Sequence, residues 1–291
     1  MMTNLGPELS VVIPAYNEER GIDLVLTDLR RTLETDGIRH EVIVVDDGSQ
    51  DSTAQLASQH RGVVVLRHKI NRGYGAALKT GIEHASCDAI CIVDADASYP
   101  TESIPEMVSY LREGYDMVVG ARTGDHVAIP PVRRLAKWSV GKIANIVAGE
   151  SIPDINSGLR VFKKSVLLQF IKILPNGFSF TTTTTLAMET SGCRVRYVPI
   201  NYGKRQGESK FRPIEDTATF LQIIFRTILY FNPLKIFLPV SGLFILAGAV
   251  LVLHRAFSGR GFTVTAIVLI VTGVQLFSLG AIADLIIRRS K

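Results

Sequence analysis

Over the first 200 residues, short apolar runs alternate with amphipathic stretches. The runs at 9–13, 41–45, 63–66, 89–93, 117–119 and 194–198 are brief, rich in β-branched residues and bounded by turn formers, and each predicts a strand. Apolar positions at helical spacing predict helices near 19–34, 52–59, 74–84, 103–112, 134–148, 165–173 and 182–191. A βα alternation of this kind predicts an α/β domain with a mostly parallel sheet. No repeat of solenoid period is present.

The pattern changes after Phe211, where most of the chain's excess apolarity lies. Residues 236–253 carry no charge for 18 positions and residues 262–283 none for 22. At about 1.5 Å per residue these reach roughly 27 and 33 Å, enough to cross a bilayer. Between them and the α/β part, Glu215, Thr219, Gln222 and Arg226 form one polar stripe on an otherwise apolar helix over 214–231, which predicts a helix lying in the membrane interface. The expected organisation is a catalytic domain over 1–212, an interfacial amphipathic helix over 213–232 and a membrane domain over 233–291, with transmembrane helices at about 234–254 and 262–286. Residues 1–8 lack the basic start and apolar stretch of a signal peptide. Arg226, Lys235, Arg288, Arg289 and Lys291 flank one side of the spans, against Arg255 and Arg260 in the short loop between them. An integral membrane protein is therefore expected, with both termini and the catalytic domain cytoplasmic. Gly242, Ala247, Gly248 and Ala249 offer small faces for helix contact, so a homo-oligomer is possible.

The formal charge is +5, and no nucleic-acid partner is expected. Cys87, Cys91 and Cys193 form no Cys-x-x-Cys pair and predict free thiols. The six histidines show no metal-ligand spacing.

Candidate chemistry concentrates at the ends of three predicted strands. Asp94-Ala95-Asp96 follows the run Ala89 to Val93. Residues two apart on a strand share a side, so both carboxylates are expected to face one site suited to Mg²⁺ or Mn²⁺ with substrate phosphates completing the shell. Val42 to Val45 runs into Asp46-Asp47-Gly48-Ser49-Gln50-Asp51, and Leu9 to Ile13 into Pro14-Ala15-Tyr16-Asn17-Glu18-Glu19. In Asn71 to Gly81, glycines sit at a helix start that could meet a diphosphate. Packing of that helix against the sheet accounts for the same glycines equally. Thr181 to Thr185 predicts a helix start with capping hydroxyls.

Together these segments, with Ser157-Gly158-Leu159-Arg160, resemble the family 2 glycosyltransferases of the GT-A fold, and more closely the polyprenyl-phosphate sugar transferases. The resemblance covers about 10–212. It implies a Rossmann-like, mostly parallel GT-A domain, a nucleotide sugar donor, a polyprenyl phosphate acceptor and Mg²⁺ or Mn²⁺ as cofactor. It implies further that Pro14, Ala15, Tyr16, Glu18 and Asp46 or Asp47 hold the nucleoside, with Lys79, Ala95 and Arg205 also on the nucleotide, and that Asp94 and Asp96 hold metal and diphosphate. Ser98 stands where the dolichyl-phosphate mannose synthases commonly carry a metal-joining Gln. A serine is a shorter and weaker ligand, so a water is expected in its place. Arg122, Arg133, Arg134 and Lys210 are the acceptor-phosphate candidates, and Asp154 matches the position often proposed as a base.

The expected reaction is inverting transfer of one hexose, from UDP-glucose or GDP-mannose, to undecaprenyl or dolichyl phosphate. A phosphate monoester has a second pKa of about 6 and is already anionic at neutral pH, so it needs cationic placement rather than a general base. Two alternatives differ in class. A glycolipid or polysaccharide synthase with a hydroxyl acceptor would need Asp154 as a base, and an inactive membrane scaffold would have no need of both aspartates.

Overall fold

The computed structural model describes residues 6–123, 152–203, 229, 233–259 and 263–289. The chain divides into two compact units, 1–223 and 224–291.

In the first unit the strands are β1 (Leu9–Ala15), β2 (His40–Asp46), β3 (Val63–Arg67), β4 (Ala89–Ile92), β5 (Met117–Ala121), β6 (Arg160–Lys163) and β7 (Val195–Pro199). They form one sheet in the order β3-β2-β1-β4-β6-β5-β7. All pairings are parallel except those of β6, which runs antiparallel to both β4 and β5. The helices are α1 (Ile22–Thr35), α2 (Thr53–Gln59), α3 (Tyr74–His84), α4 (Ile104–Arg112), α5 (Lys164–Leu167) and α6 (Phe180–Thr190).

β1 is buried along its whole length and β2 from Val42 onward, as expected of central parallel strands covered on both faces. Helix α1 buries Ile22, Val25, Leu26, Leu29 and Leu33, a stripe at helical spacing turned onto the sheet. On α3, a side chain at Gly81 would collide with Val12 of β1 and Val45 of β2, so this glycine lets the helix lie close on the sheet. The order β3-β2-β1-β4 sends the chain outward to one side from β1 and then across to β4. That reversal leaves a crevice at the carboxyl ends of β1 and β4.

Six of the seven strands match sequence expectation, and β6 is the addition. It has four residues with a cation at each end, too short and too polar for a periodicity signal. The helix expected over 165–173 is only α5, followed by turns. The expected helix over 134–148 lies outside the described residues, as does that over 214–231 apart from Leu229.

Arg160 opens β6 and is fully buried. Its Nε donates to Ser157 O at 2.8 Å, Nη1 to Thr185 Oγ1 at 2.7 Å and Nη2 to Ile155 O at 3.0 Å. Burial lowers its pKa from the ordinary guanidinium value. Thr181 to Thr185, in the first half of α6, are buried rather than capping. Thr184 and Thr185 donate back to Phe180 O and Thr181 O, while Thr181 donates to Asn156 Oδ1 at 2.6 Å. The 155–157 turn is therefore pinned between β6 and α6.

The second unit is a helical hairpin, α7 (Leu234–Phe257) and α8 (Val264–Arg289), with large apolar side chains such as Leu243, Leu246 and Leu285 exposed. Both helices are long and apolar enough to cross a membrane. A Cβ at Gly248 would meet Ile270, one at Gly273 would meet Ile245 and one at Gly280 would meet Phe237. These pairings run antiparallel and bring the two backbones close through small residues. Gly248 thus serves contact inside the hairpin, while Gly242 has open space around it.

Each hydrogen bond from a charged donor contributes about 1.5–3 kcal/mol, partly offset by the cost of burying the charge. Arg160→Met should therefore cost about 3 kcal/mol and lower the melting temperature of the detergent-solubilised protein by roughly 6–12 °C. Thermal unfolding followed by circular dichroism checks this, and an unchanged midpoint would remove Arg160 as the tie of the 155–157 turn.

Candidate active site

The loops after β1 and β2 are laced by side chains that bond the other loop's backbone. Asn17 N donates to Ser49 Oγ at 2.9 Å, Glu18 N to Thr53 Oγ1 at 2.8 Å and Gln50 N to Asn17 Oδ1 at 2.9 Å. Asp51 accepts from Thr53 N at 3.0 Å in the turn that leads into α2. Asn17 adopts a positive φ of 52°, a conformation asparagine tolerates better than most residues. Three short polar side chains thus replace the regular ladder where the strands end.

A cavity of about 200 Å³ opens at the crevice between β1 and β4, lined by Pro14, Ala15, Tyr16, Glu18, Asp47, Asn71, Gly73, Tyr74, Ala77, Asp94, Ala95, Asp96 and Phe178. Eight residues expected on the nucleotide are therefore gathered here: Pro14, Ala15, Tyr16, Glu18, Asp47, Asp94, Ala95 and Asp96. The physical route differs from strand alternation. β4 ends at Ile92, so a loop with Ala97 at φ 57° carries the two aspartates to the cavity.

Each of the two carboxylates accepts from a hydroxyl. Tyr74 donates to Asp94 Oδ1 at 2.8 Å, and Ser98 donates to Asp96 Oδ1 from its hydroxyl at 2.5 Å and from its backbone N–H at 3.0 Å. Burial first and the Asp94 charge second push the Tyr74 phenol well above its ordinary pKa. Ser98 is buried and directed onto Asp96 rather than into the cavity. A Cβ at Gly158 would overlap the Asp94 carboxylate, and one at Gly21 the backbone of Ala95 and Asp96, so both positions are confined to glycine.

The remaining expected residues are employed differently. Asp46 accepts from Ser49 N at 2.9 Å, and Arg67 Nε lies 2.9 Å from its other oxygen, an ion-pair approach without hydrogen-bond alignment. Asp47 accepts from Arg72 N, Gly73 N and His68 Nδ1 at 2.9, 2.7 and 2.6 Å, fixing the turn that precedes α3. The start of α3 meets protein instead of an open anion site. Ala76 N donates to Asn176 O at 3.0 Å, and Lys79 Nζ donates to Leu174 O at 2.5 Å and Asn176 Oδ1 at 2.9 Å. Side chains at Gly73 or Gly75 would strike the same 175–177 loop. Burial lowers the Lys79 pKa.

Half-buried Arg122 and buried Asp154 face each other in a bidentate pair, Nε to Oδ2 at 2.6 Å and Nη2 to Oδ1 at 2.9 Å, with the Arg122 backbone N–H also donating to Oδ2 at 3.1 Å. Burial opposes the Arg122 charge, but Tyr99 and the Asp154 bond outweigh it and raise the pKa above its ordinary value. The guanidinium lies over the Tyr202 ring at 5.3 Å, and Tyr202 meets Tyr99 edge-on at 5.1 Å. Tyr99 accepts from Gly158 N at 2.7 Å. An aromatic box thus joins the aspartate loop to the arginine pair. Arg133, Arg134, Arg205 and Lys210 lie outside the described residues. Cys87, Cys91 and Cys193 form no disulfide.

Sequence reasoning missed Tyr74 and Phe178 as cavity residues. Tyr74 was visible only as part of the glycine segment, and Phe178 arrives from a turn about a hundred residues downstream with no local signal.

Residues 10–170 match the family described as Glycosyl transferase family 2, and residues 232–288 match the GtrB C-terminal hairpin. The undecaprenyl-phosphate 4-deoxy-4-formamido-L-arabinose transferase of Pseudomonas paraeruginosa is 30% identical, over 95% of this chain and 84% of its own. The dolichyl-phosphate hexose transferase of Haloferax volcanii is 31% identical over 72% of this chain and 90% of its own. Among solved structures, glucosyl-3-phosphoglycerate synthase from Mycobacterium tuberculosis, in complex with Mn²⁺, UDP-glucose and phosphoglyceric acid, aligns with TM-score 0.60 at 21% identity, covering 77% of this chain and 80% of that one. At that identity the likeness is one of GT-A fold. The family match spans more than half of the chain and includes the three strand-end loops that build the cavity, so this chain is a glycosyltransferase and belongs to glycosyl transferase family 2.

Proposed function

We propose that the protein transfers one hexose, with inversion, from a nucleoside diphosphate sugar to a polyprenyl phosphate at the cytoplasmic face of a membrane. The names of its relatives support the acceptor class, since they act on undecaprenyl and dolichyl phosphate. The observation that favours a phosphate over a hydroxyl acceptor is the state of Asp154. The hydroxyl reading needs it as a base, yet it is buried and bonded through both oxygens to Arg122. A phosphate monoester, dianionic above about pH 6, attacks without a base.

In this reading the β1 loop, with Tyr16 and Glu18, receives the nucleoside, and Asp94 and Asp96 lie beside its diphosphate. Two carboxylates on one cavity wall form a hard oxygen donor set, which fits a divalent cation that takes its remaining ligands from phosphates and water. Asp94 and Asp96 would hold Mg²⁺ or Mn²⁺, which supplies charge compensation to the departing diphosphate. Arg122 is placed by Asp154 and Tyr202 and serves the acceptor phosphate from within that frame, with Arg133, Arg134 and Lys210 as further cations. Arg205 reaches the donor diphosphate. Ser98 orients Asp96 instead of ligating metal.

The domain proposal is a cytoplasmic catalytic part over 1–212, an interfacial helix over 213–232 and a membrane hairpin over 233–291. An antiparallel hairpin returns the chain to the side it left, so Lys235 and Arg289 share a side. With cations concentrated there, that side is cytoplasmic.

The full-length protein, incubated with labelled UDP-glucose or GDP-mannose, should label lipid when undecaprenyl phosphate is supplied and not when undecaprenol is supplied. Labelling of the alcohol in preference to the phosphate would establish the hydroxyl reading. Asp94→Asn and Asp96→Asn should each reduce transfer by about 10³-fold, the loss of several kcal/mol of charge compensation, without shifting the melting curve. Turnover near wild type in either variant would remove these aspartates from the reaction. Asp154→Asn keeps the side chain's size but removes the charge opposite Arg122, and should weaken acceptor use, read as a raised KM for lipid phosphate at unchanged donor affinity. Complete loss of kcat with an unchanged acceptor KM would instead mark Asp154 as a base.

A further inference from the structure

The Asp94 carboxylate is held from two sides. Gly158 lies against it so closely that a Cβ there would overlap it, and the Tyr74 hydroxyl donates to Oδ1 at 2.8 Å. Tyr74 is itself anchored by contacts outside the cavity's chemistry. It is the first residue of α3, whose approach is set by Arg72 N and Gly73 N donating to Asp47 and whose first turn is tied by Ala76 N to Asn176 O. Its ring stacks on Phe178 at 5.6 Å with an interplanar angle of 14°. The aromatic body is thus carried by packing, and the hydroxyl donates to the aspartate twenty residues away in sequence.

We propose that Tyr74 is a positioning residue that sets the orientation of the Asp94 carboxylate toward a divalent cation and the donor diphosphate, a role that rests on the placement of metal at Asp94 and Asp96 proposed above. A carboxylate has about four lone-pair directions, and fixing one of them with a phenol constrains where the others point. Phenylalanine at this position would keep the stack and lose the constraint. Hydrogen-bond partners of this kind typically change metal affinity by about 10- to 100-fold when removed. The effect belongs to cation binding and donor affinity rather than to the stability of the domain.

The test uses purified full-length wild type, Tyr74→Phe and Asp94→Asn, with saturating UDP or GDP. Mn²⁺ binding is read from the paramagnetic resonance signal of the free ion, alongside a melting curve. Tyr74→Phe should bind Mn²⁺ about tenfold more weakly and melt like wild type, while Asp94→Asn loses the site. If Tyr74→Phe stays within about twofold of wild type while Asp94→Asn loses Mn²⁺, the positioning role is wrong and the metal placement stands. Should Asp94→Asn bind Mn²⁺ as wild type does, the metal placement fails and the role of Tyr74 fails with it. A Tyr74→Phe protein that loses melting temperature together with Mn²⁺ affinity would make Tyr74 a packing residue and overturn the proposal.

Discussion

Five aspartates gather at the carboxyl edge of one sheet, and like charges at one edge repel unless each is given donors. The structure supplies a different donor set to each. Asp46 has the Ser49 amide and Arg67, Asp47 has two backbone N–H groups and His68, and Asp154 has Arg122 twice over. Asp94 and Asp96, which line the cavity together with Asp47, accept from Tyr74 and Ser98. Three carboxylates thereby fix loops and an arginine, while Asp94 and Asp96 border the space where a substrate can enter. Much of the surrounding architecture, from the glycines at 21 and 158 to the Tyr99–Tyr202 box, follows from packing backbone and rings closely around these groups.

The same economy explains the start of α3. A glycine-rich turn before a helix offers N–H groups to an anion, but here Asp47 and the carbonyl of Asn176 take those donors. Two protein acceptors occupy the position a phosphate would need. Their effect is to lock Tyr74 at the cavity wall, so an apparent phosphate cradle becomes a scaffold for an aspartate.

How far this could be read from residues alone depended on the range of the interaction. Strands such as Val42 to Val45 and the α3 boundaries at Tyr74 and His84 were visible because burial periodicity and glycine punctuation act within a few residues. The convergence of the β1, β2 and β4 loops was visible because parallel strands in this order must end on one edge. β6 was hidden because four residues between two cations carry no period, and the fate of Asp154 because its partner is 32 positions away. Lys79 and Ser98 resembled ligands by position, yet their nearest acceptors, Leu174 O and Asp96, come from the fold itself. Phe178 had no local mark, since only the tertiary approach of the 175–177 loop to Gly73 and Gly75 brings it beside Tyr74.

Two physical features meet in one chain: a cavity bordered by carboxylates, and an apolar hairpin of 24 and 26 residues whose close glycine contacts fit a lipid environment. The proposed substrates, a water-soluble nucleotide sugar and a lipid phosphate, call for both. The most direct measurement of the central claim is an experimental structure of the full-length protein with Mn²⁺ and the nucleoside diphosphate it binds. The account predicts metal density between the diphosphate and the carboxylates of Asp94 and Asp96, with the Arg122–Asp154 pair intact. Metal bound away from both aspartates, or Asp154 released from Arg122 and turned into the cavity, would contradict it.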